Sequence, residues 1–283
     1  MDAFTLNVRG ELYKYDKPAV MGIINATPDS FYSPSRVADA SEAAVRAARM
    51  ISFGADMIDV GACSTRPGSS SPSAQEEIDR LEPVLKAVKS AVEGTKVLIS
   101  VDTYRADVAR AAVELGADIV NDIAGGNLDA TMFDTVAELK VPYVLSHMRG
   151  TPENMQEFTV YENVTRDVLS ELGDRLQQLS LLGVNDVIID PGFGFSKTLE
   201  QNYELLAHLD LFKLFHRPLL VGFSRKSMIT KLLGIKSEES LEGTTTLNTL
   251  AIDRGAAIVR VHDVKAARQA VDIYCAMTAQ ASK

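Results

Sequence analysis

The chain has few of the features that stabilise secreted or membrane proteins. Its 283 residues include no tryptophan and only two cysteines, Cys63 and Cys275, which lie in unrelated sequence contexts. A disulfide framework is therefore not expected. No apolar run reaches the roughly 20 residues that a membrane-spanning helix needs, and residues 1–18 lack the apolar segment of a signal peptide. We expect a cytoplasmic protein with no membrane partner.

Positive charge is also scarce. The 29 Lys and Arg residues are outnumbered by 38 Asp and Glu residues, and the net charge is −9. Because nucleic acids are bound mainly through their phosphates by basic surfaces, we expect no nucleic-acid partner. An anionic ligand would need basic groups that are clustered locally. The chain is 46% hydrophobic, so it can bury the core of one large α/β barrel or of two domains of ordinary size.

One sequence unit recurs along the chain, in which a helical pattern ends in glycine and an apolar strand follows. It occurs at Gly54, Gly116, Gly183 and Gly255, and a glycine just after a helix typically closes it in the left-handed conformation. Helical patterns cover, for example, residues 42–51, 75–92, 107–115 and 164–182. The apolar runs predict eight strands, at residues 20–25, 57–61, 97–102, 119–123, 142–147, 187–190, 218–223 and 257–261.

Most of these runs are continuous in Val, Ile and Leu, which is typical of a parallel sheet covered on both faces. Eight strand–helix units in about 250 residues predict an α/β fold, a TIM (β/α)8 barrel. A doubly wound sheet is the structural alternative.

Every predicted strand ends in polar residues, and in a TIM barrel the active site lies at these carboxyl ends. For Asp59 or Asp122 alone, a turn or helix cap is the better interpretation, and His147 is best explained as a histidine at the edge of the core. All eight ends together, with mixed chemistry, indicate a ligand site. The polar residues are Asn25, Asp59, Asp102, Asn121, Asp122, His147, Asp190, Ser224, Arg225, Lys226, Arg260 and His262.

The polar residues divide by charge. Asp102, Asn121 and Asp190 offer acceptors and one amide, which suit a flat heterocycle with an N–H edge. Arg260 and His262, with the loop residue Arg66 and with Asn25, offer donors for phosphate or diphosphate. The carbonyl oxygen of Asn25 also suits a hard cation. Lys226 is predicted to bridge the two groups. The apolar strand at 187–190 ends in Asp190, whose burial is costly unless something pairs with it.

Ordered motifs along nearly the whole chain resemble the dihydropteroate synthases of folate biosynthesis. DPGFGFSK (190–197), SRKS (224–227) and RVHDV (260–264) carry most of the specificity. The others are GIINATPDSF (22–31), IDVGACSTRPG (58–68), SVDT (100–103), NDI (121–123) and SHMRGTP (146–152).

The resemblance implies one pterin-binding TIM-barrel domain over residues 1–283, with 1–17 as an N-terminal extension. It implies a Mg²⁺-dependent transferase that condenses 6-hydroxymethyl-7,8-dihydropterin diphosphate with 4-aminobenzoate, releasing pyrophosphate. It also implies sulfonamide binding and a homodimer, for which residues 240–253 and 266–281 are plausible contact surfaces.

The same resemblance assigns roles to single residues. Asp102, Asn121, Asp190, Lys226 and Arg260 would bind the pterin. Asn25, Arg66, Arg260 and His262 would bind the diphosphate, and Asn25 would contact the metal. Thr65, Pro67, Phe195 and Ser227 would form the 4-aminobenzoate pocket. The residues expected to act in catalysis are Lys226, Asp102, Arg260 and His262.

The sequence departs from the family pattern in two loops. Ser33 stands where the family has an acidic residue, and Ala62-Cys63 replace the usual Gly-Glu. Two alternatives remain open. A non-catalytic pterin-binding paralogue is supported by Ser33. A methyltetrahydrofolate methyltransferase would share the pterin-edge residues but would not need SRKS, RVHDV or a diphosphate cluster.

Overall fold

The computed structural model describes residues 3–26, 40–62 and 72–281. Thr65, Arg66, Pro67 and Ser33 lie outside these ranges. The strands are β1 Phe4–Val8, β2 Glu11–Tyr15, β3 Ala19–Asn25, β4 Met57–Gly61, β5 Leu98–Asp102, β6 Ile119–Asp122, β7 Tyr143–Ser146, β8 Val187–Asp190, β9 Leu220–Val221 and β10 Ile258–Val261. The helices are α1 Ala40–Ser52, α2 Ala74–Val92, α3 Ala106–Leu115, α4 Met132–Leu139, α5 Val164–Leu181, α6 Leu199–Ala207, α7 Ser227–Leu233, α8 Leu241–Asp253 and α9 Val264–Ala281.

Strands β3 to β10 form one parallel sheet that curls into a barrel. Their order is β8-β7-β6-β5-β4-β3-β10-β9. A parallel bridge between Ile189 and Leu219 joins the two ends, where the N–H of Ile189 donates to the carbonyl of Pro218 at 2.9 Å. The predicted TIM barrel is thus confirmed. Gly54, Gly116, Gly183 and Gly255 all have positive φ, between 81° and 115°, as predicted for glycines that follow helices.

One predicted strand is much shorter than expected. In the segment 218–223 the strand covers only Leu220–Val221, and Leu219 adds a single bridge to Ile189. Pro218 has no N–H to donate to a ladder, and after Val221 the chain leaves the sheet toward the rim of the barrel. The other strand bounds differ from prediction by one residue or less at each end.

Two apolar layers hold the barrel together. Side chains such as Val60, Val101 and Ile189 point outward and pack under the helices. Alternate residues, such as Met57, Leu98 and Ile188, point inward and form a second cluster in the lower barrel. The two-residue period of a strand creates this separation. The inward residues that come next along each strand therefore lie above the inner apolar cluster, toward the carboxyl ends of the strands.

An antiparallel hairpin closes the bottom of the barrel. Strands β1 and β2 turn at Arg9 and Gly10, both with positive φ. Leu6 and Val8 join the inner cluster, and the N–H of Asn7 donates to Asp186 at 2.8 Å. The sequence predicted only an N-terminal extension here. Among the described residues, no helix is both long enough and apolar enough to cross a membrane.

Candidate active site

The strand residues predicted to bind ligand point into the upper barrel. Leu98, Ile119, Ile188 and Ile258 belong to the inner apolar cluster. Every second residue along a strand points to the same face. The inward face therefore also carries, two or four residues further along these strands, Asp102, Asn121, Asp190, Arg260 and His262. The register agrees, since Asp102 lies beside Asn121 and Ser146 beside Asp190. The upper interior is polar where the lower interior is apolar.

Arg260 lies at the centre of one wall of this site. Its Nε donates to Oδ2 of Asp59, and its terminal nitrogen donates to Oδ2 of Asp102, each at 2.6 Å. The same oxygen of Asp59 accepts a hydrogen bond from Nδ2 of Asn121 at 3.0 Å. The structure thus brings together Asp102, Asn121 and Arg260, together with Asp59.

The carboxyl groups of this wall are strongly perturbed. Burial raises the pKa of Asp102 to about 7, although the charge of Arg260 lowers it; the negative charge of Asp59 raises it further. The pKa of Arg260 is raised by the two carboxylates despite its burial. The guanidinium is therefore a permanent cation, whereas Asp102 titrates near neutral pH.

Asp190 forms the opposite wall, at the end of β8. Only 8% of it is exposed, and burial raises its pKa, while the charge of Lys226 lowers it. Its Oδ1 accepts a hydrogen bond from the N–H of Gly192 at 2.8 Å. Gly192 has a φ of 71°, and a Cβ there would overlap the carbonyl oxygen of His147. The turn after Asp190 therefore requires glycine.

Lys226 joins the predicted pterin and 4-aminobenzoate groups. Its Nζ donates to the carbonyl of Phe193 at 2.6 Å and lies 4.6 Å from the centre of the half-buried Phe195 ring. Burial lowers the pKa of Lys226 to about 8, an effect that Asp190 partly offsets. Ser227 follows as the first residue of α7 and is exposed. Thr65 and Pro67 lie outside the described residues.

His262 is the first residue after β10. Its Nδ1 lies 2.9 Å from Oγ of Ser224, which also accepts its main-chain N–H at 3.2 Å. Burial lowers the pKa of His262 to about 3, and nearby Arg260 and Arg225 lower it further. The imidazole is therefore neutral at neutral pH, and any contact it makes is that of an uncharged group. Arg225 pairs with Asp263 at 2.7 Å, and its side chain is only 4% exposed, which indicates a structural role.

The sequence did not identify one buried group beneath the site, Lys197. Its Nζ donates to the carbonyls of Gly192 and Phe195 at 3.0 and 3.1 Å and lies 3.0 Å from Nδ1 of His147. Burial lowers the pKa of Lys197 to about 7. Lys197 therefore fastens the segment 191–196 that follows β8. It stands in the motif DPGFGFSK, but a lysine that turns inward looks the same in a sequence as one that faces solvent.

His147 is buried, in line with its predicted place at the edge of the core. It is fully buried, and its Nε2 lies 3.1 Å from Oε2 of Glu171. Burial lowers its pKa to about 3, so it is neutral. Asp122 is the turn former that was predicted, because its carboxylate accepts the N–H groups of Ala124 and Gly126 and the hydroxyl of Tyr143.

Asp59 departs from expectation. The sequence favoured a turn or helix cap for Asp59, but its Oδ2 accepts hydrogen bonds from Arg260 and Asn121. No sequence signal links residues 201 positions apart. Its position is explained by the register, since Asp59 lies beside Ile23 and Ser100, one inward step below Asp102.

A magnesium ion would find few protein ligands here. Within the described ranges, no group of three or more His, Cys, Asp or Glu side chains could hold a metal ion. Asn25 offers one amide oxygen at the end of β3, and Arg66 lies outside the described residues. One protein ligand fits Mg²⁺, which usually keeps several waters and binds through one or two side chains plus substrate phosphates.

Known proteins resemble this chain over most of its length. A family model described as pterin binding enzyme matches residues 21–262. A dihydropteroate synthase of Streptococcus pyogenes serotype M3 is 45% identical over 259 residues, covering 90% of this chain and 94% of that protein. The Yersinia pestis dihydropteroate synthase, solved with a sulfonamide drug, is 38% identical with a TM-score of 0.92, covering 98% of this chain and 100% of that one. The Xanthomonas albilineans dihydropteroate synthase in complex with 7,8-dihydropteroate is 34% identical with a TM-score of 0.85, covering 98% and 99%.

Proposed function

The chain belongs to the pterin-binding enzyme family, and we infer that it is a transferase that makes 7,8-dihydropteroate for folate synthesis. Its substrates are small molecules, 6-hydroxymethyl-7,8-dihydropterin diphosphate and 4-aminobenzoate. The observation that carries this inference is the polar upper barrel, where Asp102, Asn121, Asp190, Lys226 and Arg260 converge above an apolar floor. The relatives named dihydropteroate synthase support the same reaction.

The pterin ring would lie between the two walls of the site. The buried carboxylate of Asp190 suits the amino-pyrimidinone edge, which offers parallel N–H groups. This pairing would replace the hydrogen bonds to water that Asp190 loses on burial, and so would offset the free-energy cost of burying its charge. Asp102 and Asn121 would contact the other edge of the ring, and the ammonium of Lys226 would donate to its carbonyl or ring nitrogen.

The diphosphate would lie toward β3 and β10. Arg260, a permanent cation, and His262, a neutral donor, would bind its oxygens together with Asn25 and Arg66. Asn25 would hold Mg²⁺, which would supply positive charge at the leaving group when bound. Donors fixed before the reaction are effective because they need no reorganisation as charge develops.

The reaction exchanges one bond for another. The bond between the pterin methylene carbon and the diphosphate oxygen breaks, and its electron pair leaves with pyrophosphate. The amino nitrogen of 4-aminobenzoate then bonds to the methylene carbon and loses one proton to solvent. The methylene cation between these steps must be kept from water. The walls of the upper barrel and the ring of Phe195 would provide that shelter.

The 4-aminobenzoate would bind at the mouth of the barrel. Phe195 offers an aromatic face beside Lys226, and Ser227 lies at the start of α7. Thr65 and Pro67 of the second loop would complete this pocket. A sulfonamide has a similar aminophenyl shape, so it would compete for the same place.

We also propose that the protein is a homodimer and that it works in the cytoplasm. Exposed apolar side chains lie on α7, α8 and α9, within or next to the predicted contact surfaces at 240–253 and 266–281. They are Leu232, Leu233, Leu250, Ile273 and Met277. Surfaces of this kind commonly mark protein–protein contacts.

Product formation tests the proposed function directly. The protein would be incubated with Mg²⁺, dihydropterin diphosphate and 4-aminobenzoate, and dihydropteroate would be measured by mass spectrometry. We expect product only when both substrates are present. Tight binding of the diphosphate without product would favour the non-catalytic paralogue, and Ser33→Asp would then be the first variant to make. Methyl transfer from methyltetrahydrofolate would favour the methyltransferase alternative.

A further inference from the structure

We propose that Asp59 is a positioning residue of the pterin site, which fixes Arg260 and orients the amide of Asn121 without touching the ligand. This inference rests on the proposed function. It concerns a carboxylate that the reaction itself does not use. Asp59 is fully buried and lies one inward step below Asp102 in the barrel. A ligand that contacts Asp102 and Asn121 is therefore separated from Asp59 by these side chains and by Arg260.

A single oxygen of Asp59 holds both partners. Its Oδ2 accepts from Nε of Arg260 at 2.6 Å and from Nδ2 of Asn121 at 3.0 Å. The side chain amide of Asn121 can adopt two orientations related by a half-turn. The bond to Asp59 selects the orientation in which Nδ2 faces downward. The carbonyl oxygen of Asn121 is then the atom available to accept an N–H from the ring.

Asp59 also fixes the plane of the Arg260 guanidinium. Nε of Arg260 meets Asp59, and one terminal nitrogen meets Asp102. Because two bonds from separate nitrogens define a plane, Arg260 cannot rotate without breaking one of them. This orientation decides whether the guanidinium faces the pterin and the diphosphate.

Removing Asp59 would change the titration of Asp102 as well as the geometry. The charged groups that act on Asp102 are Arg260, Asp59, Glu77, Asp122 and Lys226. The negative charge of Asp59 raises the pKa of Asp102. Asp59 also competes with Asp102 for the positive charge of Arg260, which pairs with both. Without Asp59, the pKa of Asp102 falls, so Asp102 stays ionised to lower pH. The acid limb of pterin binding, which is the fall in affinity as the pH is lowered, should then move to lower pH.

The test compares Asp59→Ala with Asp59→Asn by calorimetry with dihydropterin diphosphate and Mg²⁺. Asp59→Ala removes both bonds and should weaken binding about 10- to 100-fold, as expected for hydrogen bonds to a charged group. Asp59→Asn keeps an acceptor but removes the charge, so its loss should be smaller. In both variants the acid limb should shift to lower pH, and the KM for 4-aminobenzoate should change less than about threefold.

Asp56→Ala is the matched control, because Asp56 lies directly before the same strand, three residues from Asp59. It accepts hydrogen bonds from the N–H of Val20 and from Arg268, so it has a main-chain and a guanidinium partner far from the site. We expect unchanged pterin affinity in this variant. Equal affinity in Asp59→Ala and wild type, or equal losses in Asp59→Ala and Asp56→Ala, would overturn the proposal.

If Asp59→Ala does not fold, the Asp59→Asn variant alone tests the positioning role of Asp59. Wild-type affinity and an unshifted acid limb in that variant would contradict the positioning role. Wild-type protein that binds no dihydropterin would contradict the proposed function and this role together, so the two failures are distinguishable.

Discussion

At the residue scale, we predict that Lys226 bridges the pterin and 4-aminobenzoate sites. Lys226→Ala should lower turnover by about 100-fold or more, as does the loss of a fixed donor in other active sites. The free energy of unfolding should change little. Burial lowers the pKa of Lys226 to about 8, which means that the folded protein disfavours the charged ammonium and gains little stability from it. Steady-state assays and thermal unfolding would measure both effects.

Lys231→Ala is the control for that variant, since Lys231 is exposed on α7, the helix that begins directly after Lys226. We expect full activity from it. A fully active Lys226→Ala enzyme would remove Lys226 from the reaction.

His262 should act on the diphosphate alone. His262→Ala should weaken binding of the diphosphate substrate about 10-fold, the value of one hydrogen bond to a charged group. Binding of the bare 6-hydroxymethyl-dihydropterin should stay nearly the same, because its ring lies against the other residues. His208→Ala is the control, since His208 is an exposed histidine at the end of α6. Equal losses for both ligands would move His262 out of the phosphate site.

The residue types at the strand ends could be predicted from the sequence, but their pairings could not. The two-residue period of strands is enough to place Asp102, Asn121 and Arg260 on one face. The period does not predict that Arg260 pairs with Asp59, because that contact depends on the register between neighbouring strands. Lys197 was missed for a related reason, since inward and outward lysines look alike in a sequence.

At the element scale, the segment after β8 carries the most constrained turn of the site. Gly183 and Gly192 both have positive φ, but a Cβ at Gly183 meets nothing within 4 Å, whereas one at Gly192 overlaps a carbonyl oxygen. The left-handed conformation alone costs an alanine roughly 1–2 kcal/mol. The overlap adds about 1–3 kcal/mol, as overpacking generally does.

Gly192→Ala should therefore lower the free energy of unfolding by about 3 kcal/mol, the sum of the strain and overlap costs. It should also abolish pterin binding, because the turn positions Asp190. Gly183→Ala should lose only the strain cost and should bind pterin normally. Urea unfolding and calorimetry would measure these differences. Similar stability in the two variants would mean that the turn at Gly192 tolerates a side chain.

Elements with strong patterns were predicted well, and short ones were not. The continuous apolar runs and the glycines after helices identified the parallel strands. The hairpin β1–β2 was missed, although the alternation in FTLNV and the Arg9-Gly10 turn are the signals that could have found it. Strand β9 was predicted too long because apolar composition extends past the point where the chain leaves the sheet.

At the scale of the whole molecule, the barrel interior is divided into an apolar floor and a polar mouth. The hairpin closes the floor with Leu6 and Val8, and the polar residues lie at the opposite end of the barrel. The overall architecture could be predicted because eight repeated units leave few topologies. Thr65, Arg66 and Pro67 lie outside the described residues, and their roles stay predictions.

The proposed homodimer makes a prediction at this scale. Wild-type protein should have a mass in solution near twice the chain mass of 30.7 kDa. Leu232→Glu, at a position 56% exposed on α7, should shift it toward the monomer, because a buried charge disfavours an apolar interface. Leu12→Glu changes a leucine on β2 that is 69% exposed and should leave the mass unchanged. Light scattering would decide, and a monomeric wild-type protein would contradict the proposal.

The most direct test of the account is a crystal structure with dihydropterin diphosphate and Mg²⁺. We predict the pterin ring in the upper barrel, with its N–H edge on the Asp190 carboxylate and its diphosphate against Arg260 and His262. Asp59 should contact Arg260 and Asn121 but not the ligand. A pterin ring bound outside the barrel mouth, or one whose N–H edge faces away from Asp190, would contradict the account.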